Sequence, residues 1–161
     1  MTTRAKQRTA DPDLGVLSGR LLFAFQRELF AEVAAQGFDD LKHRHGAVMA
    51  YLEPDGVRAT ELSRLSGQHK QIIGTLVDEL EALGYLERRP DPSDRRAKLV
   101  CPTERGLAQM RTADAVIAGI EAQHAERLGA DNYRRFKETF LDVVEHQRRR
   151  RGPQPEGDTE D

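Results

Sequence analysis

Apolar residues recur at three- and four-residue steps along most of this chain. Leu14, Leu17, Leu21, Phe25, Leu29 and Val33 set the rhythm, which predicts a helix over about 13–36 that stops at Gly37. A second helix is expected after Asp39 and Asp40, whose short carboxylates suit an N-cap, with Leu41, His45, Val48, Met49 and Leu52 on one face. Pro54-Asp55-Gly56 then makes a turn. A short third helix, about 60–66, takes Thr60 as its N-cap and buries Leu62 and Leu65. Ser66-Gly67 turns the chain into a fourth, about 68–83, with Ile72, Ile73, Leu76, Val77, Leu80 and Leu83 inward and Gly84 closing it.

The pattern then becomes strand-like. Segments 85–90 and 96–101 flank the polar turn Pro-Asp-Pro-Ser-Asp-Arg and read as a hairpin. Thr103-Glu104-Arg105-Gly106 opens a fifth helix to about 128, and a sixth runs from about 131 to 150 with Tyr133, Phe136, Phe140 and Val144 along one face. Short helix, turn, longer helix and hairpin is the order of a winged helix-turn-helix. The fold class expected is therefore mainly α with a small β-hairpin wing. Residues 12–150 form one domain, with a DNA-binding lobe over about 40–106. The apolar faces of the helices at about 13–36 and 104–150 have few partners in so small a domain, so they are expected to pack across a two-fold axis in a homodimer.

Charge sharpens this outline. Charged residues make up 32% of the chain against 38% hydrophobic, and the net charge is −2, which by itself speaks against nucleic acid. Its placement speaks for it, because DNA binding depends on a local basic surface. Between 84 and 98, Arg88, Arg89, Arg95, Arg96 and Lys98 face only Glu87, Asp91 and Asp94. Residues 1–11 are polar and basic and residues 151–161 mostly acidic and Pro/Gly-rich, so both are expected as disordered tails. The chain has no apolar leader and no run approaching a membrane span, so cytoplasm is the expected compartment.

The phrase LVDELEALGYLERRPDPSDRRAKLV followed by TERG resembles the MarR family of bacterial transcriptional regulators, and the likeness extends over roughly residues 13–148. The resemblance implies a homodimer on pseudo-palindromic operator DNA, in many members released when a small aromatic or lipophilic ligand binds between the DNA lobe and the dimerisation helices. Pro102 departs from the family pattern, which usually has an apolar residue ahead of the threonine. Ile72 departs too, at a position that is often small or polar.

A recognition helix reads base edges with its first turns. Gln68, His69, Lys70, Gln71, Gly74 and Thr75 lie off the apolar face and are the candidates. Gln71 suits an adenine edge, Lys70 guanine or phosphate, and Thr75 a thymine methyl. Gly74 costs helix stability, about 1 kcal/mol relative to alanine, which a close DNA backbone would justify. In the wing, Asp94 and Arg96 are two apart and share a side, with Arg95 opposite. Asp94 is expected to orient the Arg96 guanidinium through a charge-assisted pair. By resemblance Arg96 enters the minor groove, while Arg95 and Lys98 suit phosphate contacts.

Other chemistry finds little footing. His43 and His45 are two apart in a predicted helix and cannot share an ion, so no metal or cofactor is expected. Cys101 is the single cysteine and has no resolving partner in the chain, which favours a structural role. The run Arg148–Arg151 reads as solvated charge at a helix C-terminus. No phosphate loop, nucleophile elbow or acid–base cluster is present, so no enzyme is expected. Helix faces together with the resemblance put Phe25, His45 and Met49 at an effector pocket. The rival reading is a winged helix that serves as a protein-interaction module without specific DNA.

Overall fold

The computed structural model describes residues 3–150. The chain divides into two units at Ile117, and each is described by itself.

The first unit begins with a short helix, α1 (Arg4–Ala10), where a disordered tail was expected. α2 (Leu14–Ala35) follows, capped by Asp13, whose side chain accepts the Val16 amide at 2.9 Å. Its first half exposes Leu14, Leu17, Leu21, Leu22 and Phe23, while Val33 near its end is buried. The second predicted helix is much shorter than its apolar pattern suggested. Residues 39–40 form a turn, His43–His45 a 3-10 turn, and only Gly46–Met49 are α-helical, as α3. The aspartates do not cap it, because Asp40 is engaged elsewhere: Tyr85 donates its hydroxyl to it, and Arg105 bonds it at 2.9 Å.

α4 (Ala59–Ser66) and α5 (Lys70–Ala82) make the helical pair. Thr60 lies inside α4, whose N-cap position is Arg58. Gly67 sits between the helices at φ 70°, a left-handed conformation that side chains with a Cβ resist, and this lets the chain turn within three residues. The lobe's core gathers Val48, Leu52, Leu62, Ile73, Leu76, Val77, Leu80, Tyr85, Leu86 and Val100. Each fully buried aliphatic side chain contributes about 1.5–3 kcal/mol relative to exposure. Ile72 does not join them. It is 43% exposed, on the same outer stretch as Gln71 and Thr75.

The sheet has three strands, one more than the sequence pattern suggested. β1 (Val57–Arg58), β2 (Leu86–Asp91) and β3 (Asp94–Pro102) are antiparallel in the order β1-β3-β2. Val57 faces Val100, and Leu86 faces Pro102. Pro102 thus ends the ladder rather than breaking it, at the strand terminus where a missing amide is tolerated. Gly56 precedes β1 at φ 94°, and a Cβ there would overlap the Cys101 sulfur.

α6 (Glu104–Leu128) starts at Thr103, whose Oγ1 accepts the Gly106 amide at 3.1 Å and donates to the Gly84 carbonyl at 2.6 Å. A Cβ on Gly106 would overlap the Tyr85 carbonyl oxygen, which accounts for the glycine three residues after the threonine.

The second unit holds the rest of α6 and α7 (Ala130–Arg150). Tyr133, Phe136 and Phe140 stack along α7 with centroids 6.3 and 5.7 Å apart. Glu121 accepts from Lys137 at 2.6 Å. No residue of α7 is buried, and Phe136, Leu141, Val143 and Val144 are exposed. Residues 151–161, expected as an acidic tail, lie outside the described residues.

Candidate nucleic-acid interface

α5 carries two electrostatic characters along its length. Its later turns hold Asp78, Glu79 and Glu81, and each of these acids meets an arginine. Arg88 bridges Asp78 and Glu81. Arg44 reaches Glu79 with two parallel bonds, at 2.9 and 3.0 Å. These bonds from Arg44, joined by one from His45, hold the Glu79 carboxyl below its usual range. The acids are thereby neutralised within the fold.

The start of α5 is different. Gln68 and His69 precede the helix, and Lys70, Gln71 and Thr75 follow on its exposed surface. His69 occupies the N-cap position without a side-chain cap, and Thr75 Oγ1 donates back to the Gln71 carbonyl at 3.1 Å. A Cβ at Gly74 would meet nothing within 4 Å, so packing inside the chain does not explain that glycine. Within the helix Gln71, Ile72 and Thr75 fall at helical spacing on one stripe.

The wing is held near its tip by a pair that the sequence reading did not single out. Asp91 is 6% exposed and accepts from the Ser93 amide at 2.8 Å, the Ser93 hydroxyl at 2.7 Å and Arg58 Nε at 2.7 Å. Those Ser93 bonds first, and Arg58 next, lower the Asp91 carboxyl to about 2. It therefore stays ionised across the neutral range. Because Arg58 belongs to β1, the clamp ties the wing tip to the strand that leads into α4.

Asp94 plays another part than the one expected of it. Its Oδ1 accepts the backbone amide of Arg96 at 3.0 Å, so it braces the turn and does not hold the Arg96 guanidinium. Arg95, Arg96 and Lys98 are exposed, and no ion pair joins any of them to the described residues. By contrast Arg44, Arg58, Arg88, Arg89 and Arg105 are all paired with carboxylates.

The remaining candidates separate clearly. His45 is 1% exposed with both ring nitrogens engaged: Nδ1 accepts the Lys42 amide at 3.1 Å, and Nε2 lies 2.8 Å from Glu79. With Nδ1 accepting, Nε2 carries the proton and donates. The Cys101 thiol is buried, which raises its pKa, and lies 3.9 Å from the Asp55 carbonyl oxygen. Among the described residues no cluster of three metal-ligating side chains forms, and no helix is long and apolar enough to cross a membrane.

A cavity of about 380 Å³ opens between α2, α3, the loop after α3 and α6. It is lined by Leu29, Phe30 and Val33, then Gly46, Met49, Ala50, Leu52, Glu53 and Pro54, then Gln109, Met110, Ala113, Asp114 and Ile117. Of the three pocket candidates, Met49 lines it; Phe25 and His45 do not. Gln109 is the residue that sequence reasoning missed, since a glutamine in a polar helix gives no signal of burial.

Two helices joined by a tight turn, with an antiparallel wing clamped beside them, define a winged helix-turn-helix protein. Residues 39–97 match the MarR family model. The match spans the lobe that holds α4, α5 and most of the wing. No relative was found among curated protein sequences. Among solved structures, it is similar to CouR from Rhodococcus jostii RHA1 bound to p-coumaroyl-CoA, at 26% identity over 83% of this chain and 92% of that one, with a TM-score of 0.68. A Mycobacterium tuberculosis MarR family protein in complex with salicylic acid is 27% identical, over 84% and 98% of the two chains, with a TM-score of 0.59. A mutant MarR from E. coli complexed with operator DNA shares the fold at 21% identity, over 86% and 97% of the chains, with a TM-score of 0.66.

Proposed function

We propose that this protein is a homodimeric repressor that binds pseudo-palindromic operator DNA and is released by a small effector, rather than an enzyme. The observation that carries the reading is the contrast in pairing across the lobe. Acids on the later turns of α5 are matched by arginines, whereas Arg95, Arg96 and Lys98 stand exposed on the wing without carboxylate partners among the described residues. Cations left unmatched beside a recognition helix are what phosphates and a narrow minor groove attract.

In this reading the stripe Gln71, Ile72 and Thr75 faces the major groove, with Lys70 beside it and Gln68 and His69 just before the helix. Gln71 pairs with an adenine edge, and the exposed Ile72 meets a thymine methyl. Gly74 leaves room for the DNA backbone. Arg96 enters the minor groove, Arg95 and Lys98 contact phosphates, and Asp94 keeps the turn that presents them. The exposed apolar residues of α2 and α7 form the dimer contact, which duplicates the reading unit about one helical turn away, roughly 34–36 Å. The cavity beside Met49 is the effector site. Neighbours bound to operator DNA, p-coumaroyl-CoA and salicylic acid support this division of labour.

Selection of bound fragments from a random DNA pool, with the mass measured by light scattering, tests the reading. The expected result is an inverted repeat with half-sites about 10 base pairs apart and a mass of two chains. Binding without an enriched repeat would instead indicate an interaction module that holds DNA only through charge.

A further inference from the structure

The first turn of α5 departs from the lobe's core pattern at one residue. Ile73 is fully buried, while its neighbour Ile72 is 43% exposed. Among the described residues of α4, α5 and the three strands, Ile72 is the one large apolar side chain left that open. Thr75 lies three residues on, beside Ile72 on the helix surface, and spends its hydroxyl proton on the Gln71 carbonyl at 3.1 Å. Ile72 and Thr75 therefore present methyl groups and no free hydrogen-bond donor. From Gln68 to Val77 the sequence holds no acid that would repel a polyanion, and no arginine.

That composition limits what the stripe recognises. In the major groove guanine is met by arginine or lysine, adenine by asparagine or glutamine, and the cytosine amino group by a carboxylate. The pyrimidine 5-methyl group is the feature that an aliphatic side chain answers, since covering it releases water from both surfaces. Lys70 and Gln71 have hydrogen bonds to offer neighbouring bases, whereas Ile72 has only apolar surface. We infer that Ile72 makes operator recognition depend on a pyrimidine 5-methyl group, so that uracil is disfavoured beneath it and cytosine is favoured when methylated. The methyl of 5-methylcytosine projects from the same ring carbon into the same groove as that of thymine. This rests on the reading of α5 as the recognition helix and goes beyond it, because it makes binding responsive to cytosine methylation.

Fluorescence-anisotropy titrations of the full chain with its selected operator test this. Each thymine is replaced in turn by deoxyuridine, at the matching place in both half-sites. At least one position is expected to lose about fourfold per half-site, the worth of one buried methyl group. At that position cytosine should bind more weakly than 5-methylcytosine by the same factor. Ile72→Ala should abolish both differences, and Ile72→Val should keep most of each. All three chains are compared at lower salt, where phosphate contacts raise affinity for every sequence alike and keep the weaker variant measurable. An unchanged melting temperature shows that both variants fold, as expected at an exposed position. The inference is overturned if no change of thymine to uracil lowers affinity, if Ile72→Ala keeps every loss, or if methylation of the cytosine gives no gain. A chain that holds an enriched operator but is indifferent to these bases loses this inference alone. A chain that enriches no operator loses the regulator reading, and this inference with it.

Discussion

The lobe around α4 and α5 and the surfaces of α2 and α7 use the same apolar residues to opposite ends. In the lobe Leu62, Ile73 and Leu80 have no exposure at all, whereas Leu17 on α2 is 50% exposed and Leu141 on α7 is 61% exposed. The lobe satisfies its own hydrophobic demand within one chain. The terminal helices do not, and exposed apolar rows of this length are expected to be covered in solution. A helix pattern alone cannot distinguish the two cases, because both follow the same three- and four-residue spacing. What separates them is whether other elements of the same chain arrive on the apolar side.

Four variants would break or sharpen that contrast. The largest effect is expected from charging the exposed row: Leu17→Glu with Leu21→Glu should halve the mass seen by light scattering and abolish operator binding, while the helical circular dichroism persists. A variant that remained a dimer would place the contact elsewhere. Leu62→Ala in the lobe should do the reverse, costing about 2–5 kcal/mol of folding free energy in a denaturant titration. Arg96→Ala should abolish operator binding in a gel-shift titration, a loss on the order of a hundredfold or more from two wings, with the dimer mass unchanged. Lys98→Ala should give the smallest change, a few-fold weakening that is equal for all sequences. It should flatten the salt dependence by about one unit of slope per contact. A sequence-selective loss would assign Lys98 to base reading.

Much of this architecture was legible before any coordinates. The ends of α2, α5 and α6 follow from Gly37, Gly84 and the Thr103–Gly106 spacing, since each is a local signal with a local cause. The misreadings share one origin, in partners distant along the chain. Asp40 looked like a cap but serves Tyr85 and Arg105, at separations of 45 and 65 residues. β1 is two residues long and exists because Val57 and Arg58 pair with β3. The Asp91 clamp gave no local signal likewise, because Arg58 lies 33 residues from Asp91. At the cavity, helix phase found Met49 but misjudged how far along α2 the opening sits, so Phe30 lines it and Phe25 does not. His45 was legible as buried, and its two bonded nitrogens explain why it is not free for a ligand.

One junction has a mechanical meaning. At the start of α6, the Thr103 amide, the one Thr103 hydroxyl proton and the Arg105 guanidinium bond the carbonyls of Leu83, Gly84 and Tyr85. Gly106 presses against the same strip of backbone with no slack for even a methyl group. Those carbonyls follow directly on the end of α5. Gln109, Met110 and Ala113, which face the cavity, ride on the same α6 within its next two turns. A shift of this part of α6 must therefore carry the end of α5 with it or tear these bonds at once. The junction is a crank without backlash, with the cavity at its handle and α5 on its shaft.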